Sequence, residues 1–349
     1  MKKDLHKETT PQSTIPQAWN QPQKTVIDVR SPSEYQSGTI PGAVNVPLLS
    51  NTEKSTIGLL YKQFGPNAAI DRGYDLLEAK LDHFKEMFAA FPREKEVIVF
   101  CARGGMRSTV VTNLLRSFAF NASQMTGGYK QFRRWNLKKL DEFSLNVPII
   151  IHGKTGVGKT RVLNLLENSL DLEGLAQHRG SLFGAIGKQP VSQKRFEADL
   201  LMRLEALDNS RPIYIEGESR KIGEVFIPNS IFKQMRSAAV ILLESSIETR
   251  VERTVEEYIV QQPHSLPVIR QTIEKLTRDL GKKSVSTLLD NFDQGDYQRC
   301  FQRILEKYYD RKYSHSMRGL TYERVVSSEE LDVAVREIEG FRLISSAAG

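Results

Sequence analysis

An apolar run, Val147-Pro148-Ile149-Ile150-Ile151, leads directly into His152-Gly153-Lys154-Thr155-Gly156-Val157-Gly158-Lys159-Thr160. Residues 153 to 160 satisfy G-x-x-x-x-G-K-[ST] in full, and Val162, Leu163, Leu165 and Leu166 continue at helical spacing. Strand, glycine-rich loop and helix in this order form the context in which the pattern is a phosphate-binding loop (P-loop) and not a chance match. The glycines let backbone N–H groups wrap a di- or triphosphate. Lys159 neutralises its charge, and Thr160 can hold Mg²⁺. The diphosphate-binding candidates are therefore Gly153, Lys154, Thr155, Gly156, Val157, Gly158, Lys159 and Thr160.

The chain contains a second turn of the same kind. Val97-Ile98-Val99-Phe100 reads as a buried strand, Cys101-Ala102-Arg103-Gly104-Gly105-Met106-Arg107-Ser108 as a loop, and Thr109 to Leu115 as a helix. A thiol at the end of such a strand sits where N–H groups converge, and the helix N-terminus and two arginines add positive potential. All of these lower a cysteine pKa. Cys101 is read as a nucleophile, with Arg103, Gly104, Gly105, Met106 and Arg107 as an anion cradle around it. The other cysteine, Cys300, shares a helical face with Tyr297, Phe301, Ile304, Leu305 and Tyr308 and reads as core.

Composition limits the rest. A length of 349 residues suits two domains, and 40% hydrophobic with 26% charged residues is typical of a soluble globular protein. No apolar run reaches the length of a membrane span, and the polar start from Met1 to Lys7 does not suggest export. Two distant cysteines exclude a disulfide scaffold, so a reduced thiol in the cytoplasm is expected. A net charge of +7 with pI near 9.2 permits a polyanionic partner such as RNA.

Along the chain, residues 1–14 are read as a flexible lead-in, 15–140 as a first α/β domain and 141–349 as a P-loop domain with a helical extension. Strands are expected at Thr25 to Val29, in a short stretch after Gly42, at Val97 to Phe100 and before Gly127. Residues 50 to 92 carry a helical face of Leu76, Leu77, Leu81, Phe84 and Phe88. Repeated strand–helix alternation argues for a parallel sheet. Asp28-Val29-Arg30, Glu34-Tyr35, the segment Gly38 to Pro47, the Cys101 loop and Gly127-Gly128 together resemble a rhodanese domain. Two departures stand out. Thr39 occupies a position that is often His. The loop also runs Cys101, five residues, then Arg107, one residue longer than the common C-x-x-G-x-R spacing and equal to that of cysteine phosphatases. A longer loop makes a wider N–H cradle, which suits a phosphate-sized group better than a bare sulfane sulfur.

In the second half, the polar, glycine-rich run Asp171 to Gly184 contains His178 and Arg179, and the strand Pro212 to Ile215 ends in Glu216-Gly217-Glu218-Ser219-Arg220. An acid at a strand end beside a P-loop occupies the place of a metal-supporting carboxylate. Taken in order, CARGGMRS, GGYKQFR, GKTGVGKT, LDLEGLAQHRGSLFG and EGESRKIG resemble the bacterial tRNA 2-selenouridine synthases over nearly the whole chain. The resemblance implies a transferase acting on the wobble uridine of tRNA. The 2-thiouridine sulfur is first geranylated from geranyl diphosphate, and the S-geranyl group is then displaced by selenium from selenophosphate. It further implies that Cys101 carries selenium, that Gly104, Gly105 and Arg107 hold selenophosphate oxygens, and that the P-loop holds the diphosphate. His178, Arg179, Glu216, Glu218 and Arg220 are candidate substrate or metal contacts with unassigned roles. No tightly bound cofactor is expected, and Mg²⁺ is possible at the P-loop.

Arg299, Arg303, Lys307 and Arg311 recur every four residues beside an apolar stripe, with Tyr308, Tyr309, Lys312, Tyr313 and His315 nearby. The row reads either as a solvated face or as a tRNA contact. Two other readings stay open: a sulfurtransferase or cysteine phosphatase with a regulatory nucleotide-binding module, and a P-loop kinase of a small metabolite.

Overall fold

The computed structural model describes residues 10–19, 23–312 and 319–341. Residues 1–9 of the lead-in, Tyr313 and His315, and the C-terminal tail lie outside them. The chain forms two compact units, Met1–Leu140 with Glu197–Met202, and Asp141–Phe196 with Arg203–Gly349.

The first unit contains strands β1 (Gln12–Ser13), β2 (Lys24–Asp28), β3 (Val44–Asn45), β4 (Glu96–Phe100) and β5 (Ala122–Met125). They form one sheet in the order β1-β5-β4-β2-β3, with every pair parallel. β4 is central because Val97 to Phe100 are all fully buried, a continuous apolar run that fits a strand covered on both faces. Gln12 and Ser13, at the end of the stretch read as a lead-in, pair with Gln124 and Met125 and so belong to the sheet.

Helices α1 (Ile15–Ala18), α2 (Pro32–Gln36), α3 (Asn51–Glu78), α4 (Leu81–Ala89), α5 (Met106–Ser117) and α6 (Gly128–Glu142) complete this unit. α3 begins with a reciprocal cap: Ser50 Oγ accepts from Glu53 N (3.2 Å) while Glu53 Oε2 accepts from Ser50 N (2.8 Å). It kinks at Gly65 (φ 82°), immediately before Pro66, whose ring has no N–H to donate to the preceding turn. On the face expected from the sequence, Leu77, Phe84 and Phe88 are buried in the core with Ile27, Val99 and Leu115, while Leu76 and Leu81 pack at its edge.

After α6, β6 (Pro148–Gly153), α7 (Lys159–Leu165), β7 (Ser169–Leu170), α8 (Leu172–Ala176), α9 (Gln193–Ala206, of which Glu197–Met202 belongs to the first unit), β8 (Ile213–Glu216), β9 (Lys221–Ile222), β10 (Val225–Phe226), α10 (Asn229–Arg236), β11 (Ala239–Glu244) and α11 (Ile247–Val255) follow in order, and apart from that stretch of α9 they form the second unit. Then come α12 (Leu266–Lys275), α13 (Thr277–Leu280), α14 (Lys282–Asp293), α15 (Tyr297–Ile304), β12 (Arg324–Ser327) and α16 (Leu331–Glu339). The sheet is parallel throughout in the order β12-β11-β6-β8-β7, with a β9–β10 hairpin beside it.

The helical part has its own core, built on Phe183, Tyr258, Ile273, Leu288 and Phe301. The P-loop and the acids Glu216 and Glu218 lie at the C-terminal ends of β6 and β8, where open α/β sheets bind ligands. Among the described residues no helix is long and apolar enough to cross a membrane.

Candidate functional site

In the first unit, β4 delivers Cys101 into a loop closed by α5. Gly105 N (3.3 Å) and Ser108 Oγ (3.1 Å) donate to Cys101 Sγ, and Gln124 Nε2 donates to Ser108 Oγ (2.8 Å). Burial pushes the thiol pKa up. The Ser108 hydroxyl, the N–H groups of Arg103 and Ser108, and the positive charge of Arg107 outweigh it, so the net direction is down. Cys101 is 4% exposed.

The glycines here are required by packing. Gly128 has φ +57°, and a Cβ on it would lie 2.4 Å from Cys101 O. The loop is also pinned from this side: Tyr129 N donates to Cys101 O (2.9 Å) and Lys130 N to Ala102 O (2.9 Å).

Arg107 is half-buried and donates to Glu34 Oε2 (2.9 Å). Burial raises the Glu34 carboxyl pKa, but the hydrogen bond and charge of Arg107 hold it down to about 2. Arg107 thus contributes positive potential from a fixed position. Arg103 and Met106 have exposed side chains, so the cradle around Cys101 consists of backbone N–H groups and Ser108. Thr39 Oγ1 donates to Asp28 Oδ2 (2.8 Å), and the same carboxylate is paired with Arg30 (2.6 Å), which stacks on Tyr129 at 3.9 Å. Asp28, Arg30 and Thr39 therefore brace the loop from below.

In the second unit, the P-loop opens onto a cavity of about 530 Å³ lined by Lys154, Lys159, Arg161, Arg179, Lys188 and Arg253. Gly156 has φ +85°, and a Cβ there would meet Arg250 O at 2.7 Å. Arg250 and Arg253 hold the loop's outer wall. Arg250 Nε donates to Thr155 O (2.9 Å) and its guanidinium is bidentate on Asp310, while Arg253 Nη1 donates to Val157 O (2.7 Å).

Lys159 is buried, with Nζ 3.4 Å from Gly153 O and 3.9 Å from Glu218 Oε1. Thr160 Oγ1 donates to Glu216 Oε1 (3.2 Å). Oxygens of Glu173, Glu216 and Glu218 lie within 4.8 Å of one another. Burial pushes all three carboxyls up; the negative charges of their neighbours add to the effect at Glu173 and Glu216. A P-loop hydroxyl bonded to a strand-end carboxylate, with a second acid alongside, fits a hard divalent cation. Burial and the charge of Lys159 lower His152 to about 4.

The remaining sequence candidates divide. Arg179 lines the cavity, paired with Glu257 and donating to Ile186 O (2.7 Å). His178 instead supports the loop: its ring sits against Gly184 and Gly223, and its Nδ1 accepts from Gly180 N (3.1 Å). Arg220 is not brought to the carboxylates; it is exposed, with its guanidinium 5.9 Å from the Phe226 ring. Arg299 is exposed and Arg303 half-exposed on α15, Lys307 is exposed on the π turn Leu305–Tyr309 that continues it, and Arg311 is exposed just beyond that turn.

Cys300 is fully buried and burial pushes its thiol up to about 12. Glu34, Ser108, Gln124, Glu173 and Lys188 are site residues that sequence reading missed. Ser108, Glu173 and Glu34 had a local signal as members of motif runs, whereas Gln124 and Lys188 had none.

A reactive thiol in a rhodanese-like sheet and a cation-lined P-loop in a second parallel sheet define a rhodanese domain joined to a P-loop domain. Residues 15–135 match the rhodanese-like domain model, and residues 146–338 match the model described as the tRNA 2-selenouridine synthase AAA domain. The chain belongs to the tRNA 2-selenouridine synthase family. It is similar to the tRNA 2-selenouridine synthase of Nitrosomonas europaea, with 35% identity over 284 residues that cover 76% of this chain and 73% of that protein. It is also similar to the tRNA 2-selenouridine synthase of Nitrosomonas eutropha, with 36% identity over 247 residues, 68% of this chain and 64% of that protein. The solved N-terminal domain of a protein described as ATP/GTP binding, from Clostridium difficile 630, is 35% identical and covers 35% of this chain and 96% of its own, with a TM-score of 0.34.

Proposed function

We propose that this chain converts the 2-thiouridine wobble base of tRNA to 2-selenouridine through an S-geranylated intermediate, using geranyl diphosphate and then selenophosphate. The single observation that supports this reading is the presence, in a member of this family, of two chemically different anion loops: a thiol cradled by N–H groups, and a cavity ringed by lysines and arginines.

In the first step the thiocarbonyl sulfur attacks C1 of the geranyl donor. The S–C bond forms, the C–O bond breaks, and diphosphate leaves with the electron pair. Gly153–Thr160 and Lys159 hold the diphosphate, and Arg179, Lys188 and Arg253 neutralise its growing charge. Thr160, Glu216 and Glu218 would hold a divalent cation, which when bound adds charge neutralisation at the leaving group. Alkylation turns a poorly departing sulfur into a good leaving group. In the second step the Cys101 thiolate attacks the phosphorus of selenophosphate. The S–P bond forms, the P–Se bond breaks and selenide leaves with the electron pair. The selenide attacks C2 of the base, the C2–S bond breaks and geranylthiolate departs. Water cleaves the S–P bond to release phosphate and restore the thiolate. The loop N–H groups contact the phosphate oxygens, and Ser108 keeps the thiol ionisable.

The test is mass spectrometry of nucleosides from 2-thiouridine tRNA incubated with the full chain and geranyl diphosphate, then with selenophosphate. Sequential appearance of the S-geranyl and the seleno nucleosides is expected. An unchanged nucleoside profile in both stages would overturn the reading.

A further inference from the structure

A cavity of about 300 Å³ lies against the Cys101 loop, and nothing in the chemistry of selenium or phosphate calls for it. Its walls come from both halves of the kinked α3 (Ile57, Ile70, Leu77), from Leu49, and from the first turns of α5 (Met106, Val110). Arg107 is the one charged residue in the lining. Its guanidinium is taken up by Glu34, which leaves the aliphatic stem to face the cavity. The cavity opens where Tyr61, 58% exposed, and Met106, 41% exposed, contribute to the wall.

Interiors normally pack such volumes closed, since an unfilled apolar void forfeits both burial and dispersion. An open apolar cavity of this size is instead at the lower end of ligand-pocket volumes, roughly 300 Å³ and upward. It also shares structure with the nucleophile: Gly105 and Ser108, which hold the Cys101 sulfur, flank Met106 and Arg107 in sequence, at the start of the helix that forms one wall. Cys101 itself is not in the lining; the cavity meets the Cys101 loop through Met106 and Arg107, so a ligand there lies against the loop that holds the thiol. That ligand must be a hydrocarbon joined to a group on which Cys101 chemistry acts.

We infer that this cavity receives the hydrocarbon chain of the S-alkylated base, so that the Cys101 site accepts the prenylated intermediate and discriminates against bases whose sulfur carries a short group or none. The inference rests on the two-step reading above and adds to it a chain-recognition site for the second step. The cation-lined P-loop cavity offers the charge that the diphosphate donor needs, and the Cys101 cavity offers the apolar surface that the alkylated product needs. The cavity would thus act as a length gauge: a chain of about ten carbons gains burial along its length, whereas a methyl group gains almost none.

The experiment compares the second step alone on two tRNAs prepared chemically, one carrying S-geranyl- and one S-methyl-2-thiouridine. Both sulfurs are alkylated, so the leaving-group chemistry is matched. Wild-type protein with selenophosphate is expected to convert the S-geranyl tRNA with at least about tenfold higher kcat/KM, as expected for several methylenes entering an apolar pocket.

Ile70→Trp, which fills the cavity, should reduce the preference to about twofold or less while leaving geranylation of 2-thiouridine tRNA unchanged. Tyr61→Ala alters only the exposed rim, so it folds even if the tryptophan variant does not, and it should lower the preference several-fold. Equal conversion of both tRNAs by wild type, or a preference that survives in both variants, would overturn the chain site and leave the two-step reading standing. Conversion of neither tRNA by wild type would overturn the two-step reading and the chain site with it.

Discussion

The two loops share a plan and differ in how they treat charge. Each follows a buried parallel strand, turns on glycine and enters a helix. The Cys101 loop is assembled from neutral donors: Gly105 N, Ser108 Oγ and Gln124 behind it, with its arginine already paired to Glu34. The P-loop cavity is lined by ions of both signs, six lysines and arginines with Glu173, Glu256 and Glu257, and Arg161 and Arg179 pair with the last two.

The Cys101 cradle lowers its thiol with N–H and hydroxyl donors and with the charge of a single arginine that is itself paired to Glu34. A cationic cavity holds a highly charged leaving group and has acids available to moderate it.

The comparison is broken most directly by removing one residue from each loop. Cys101→Ala should abolish selenation of pre-geranylated tRNA and leave geranylation within about twofold. Lys159→Ala should do the reverse, lowering geranylation by about a hundredfold, as for loss of one charge-stabilising donor. Nucleoside mass spectrometry reads both steps, and loss of both activities in either folded variant would show that the loops are not independent.

Ser108→Ala sharpens the neutral-cradle argument. It removes the hydroxyl on the sulfur, so the thiolate should form at higher pH and the rate of iodoacetamide alkylation at neutral pH should fall about tenfold; an unmoved titration would count against the cradle. Arg299→Glu with Lys307→Glu tests whether the P-loop unit's exposed basic row also meets the polyanionic substrate. Several-fold weaker tRNA binding with a shallower salt slope is expected, and an unchanged slope would assign the row to solvent.

The smallest effect concerns the acid cluster. Glu173, Glu216 and Glu218 hold their protons to higher pH in the folded chain than the ordinary carboxyl value of 4.5. Above 4.5 the unfolded chain therefore binds fewer protons than the folded one, and stability falls as pH rises toward the folded values. The melting midpoint should drop between pH 5 and pH 8 by a few degrees, and millimolar Mg²⁺ should flatten the slope.

What the sequence disclosed was local. Gly153–Thr160 and the Cys101 loop could be read because a strand, a required glycine and a helix are adjacent in the chain, and the positive φ of Gly104, Gly156 and Gly158 follows from that adjacency. What it concealed was convergence. Glu34 reaches Arg107 from 73 positions away, and Gln124 reaches Ser108 from 16. The apolar spacing of residues 50 to 92 predicted helix but could not show that a kink at Gly65 leaves a cavity against α5. Arg220 follows the strand-end acids in sequence, yet the β9–β10 hairpin carries the chain away and leaves its side chain over Phe226. His178 sits in a run dense in functional groups, but its ring is used to support a loop between two glycines.

The burial of Cys300 has a practical side. With one thiol sealed among Phe301, Ile304 and Leu305 and pushed up to about 12, and the other tuned downward, the two-cysteine chain is expected to react with electrophiles at Cys101 first. A stoichiometric alkylating or disulfide reagent should therefore label one thiol in the native chain, and uptake of a second label only on unfolding would identify Cys300 as the silent one.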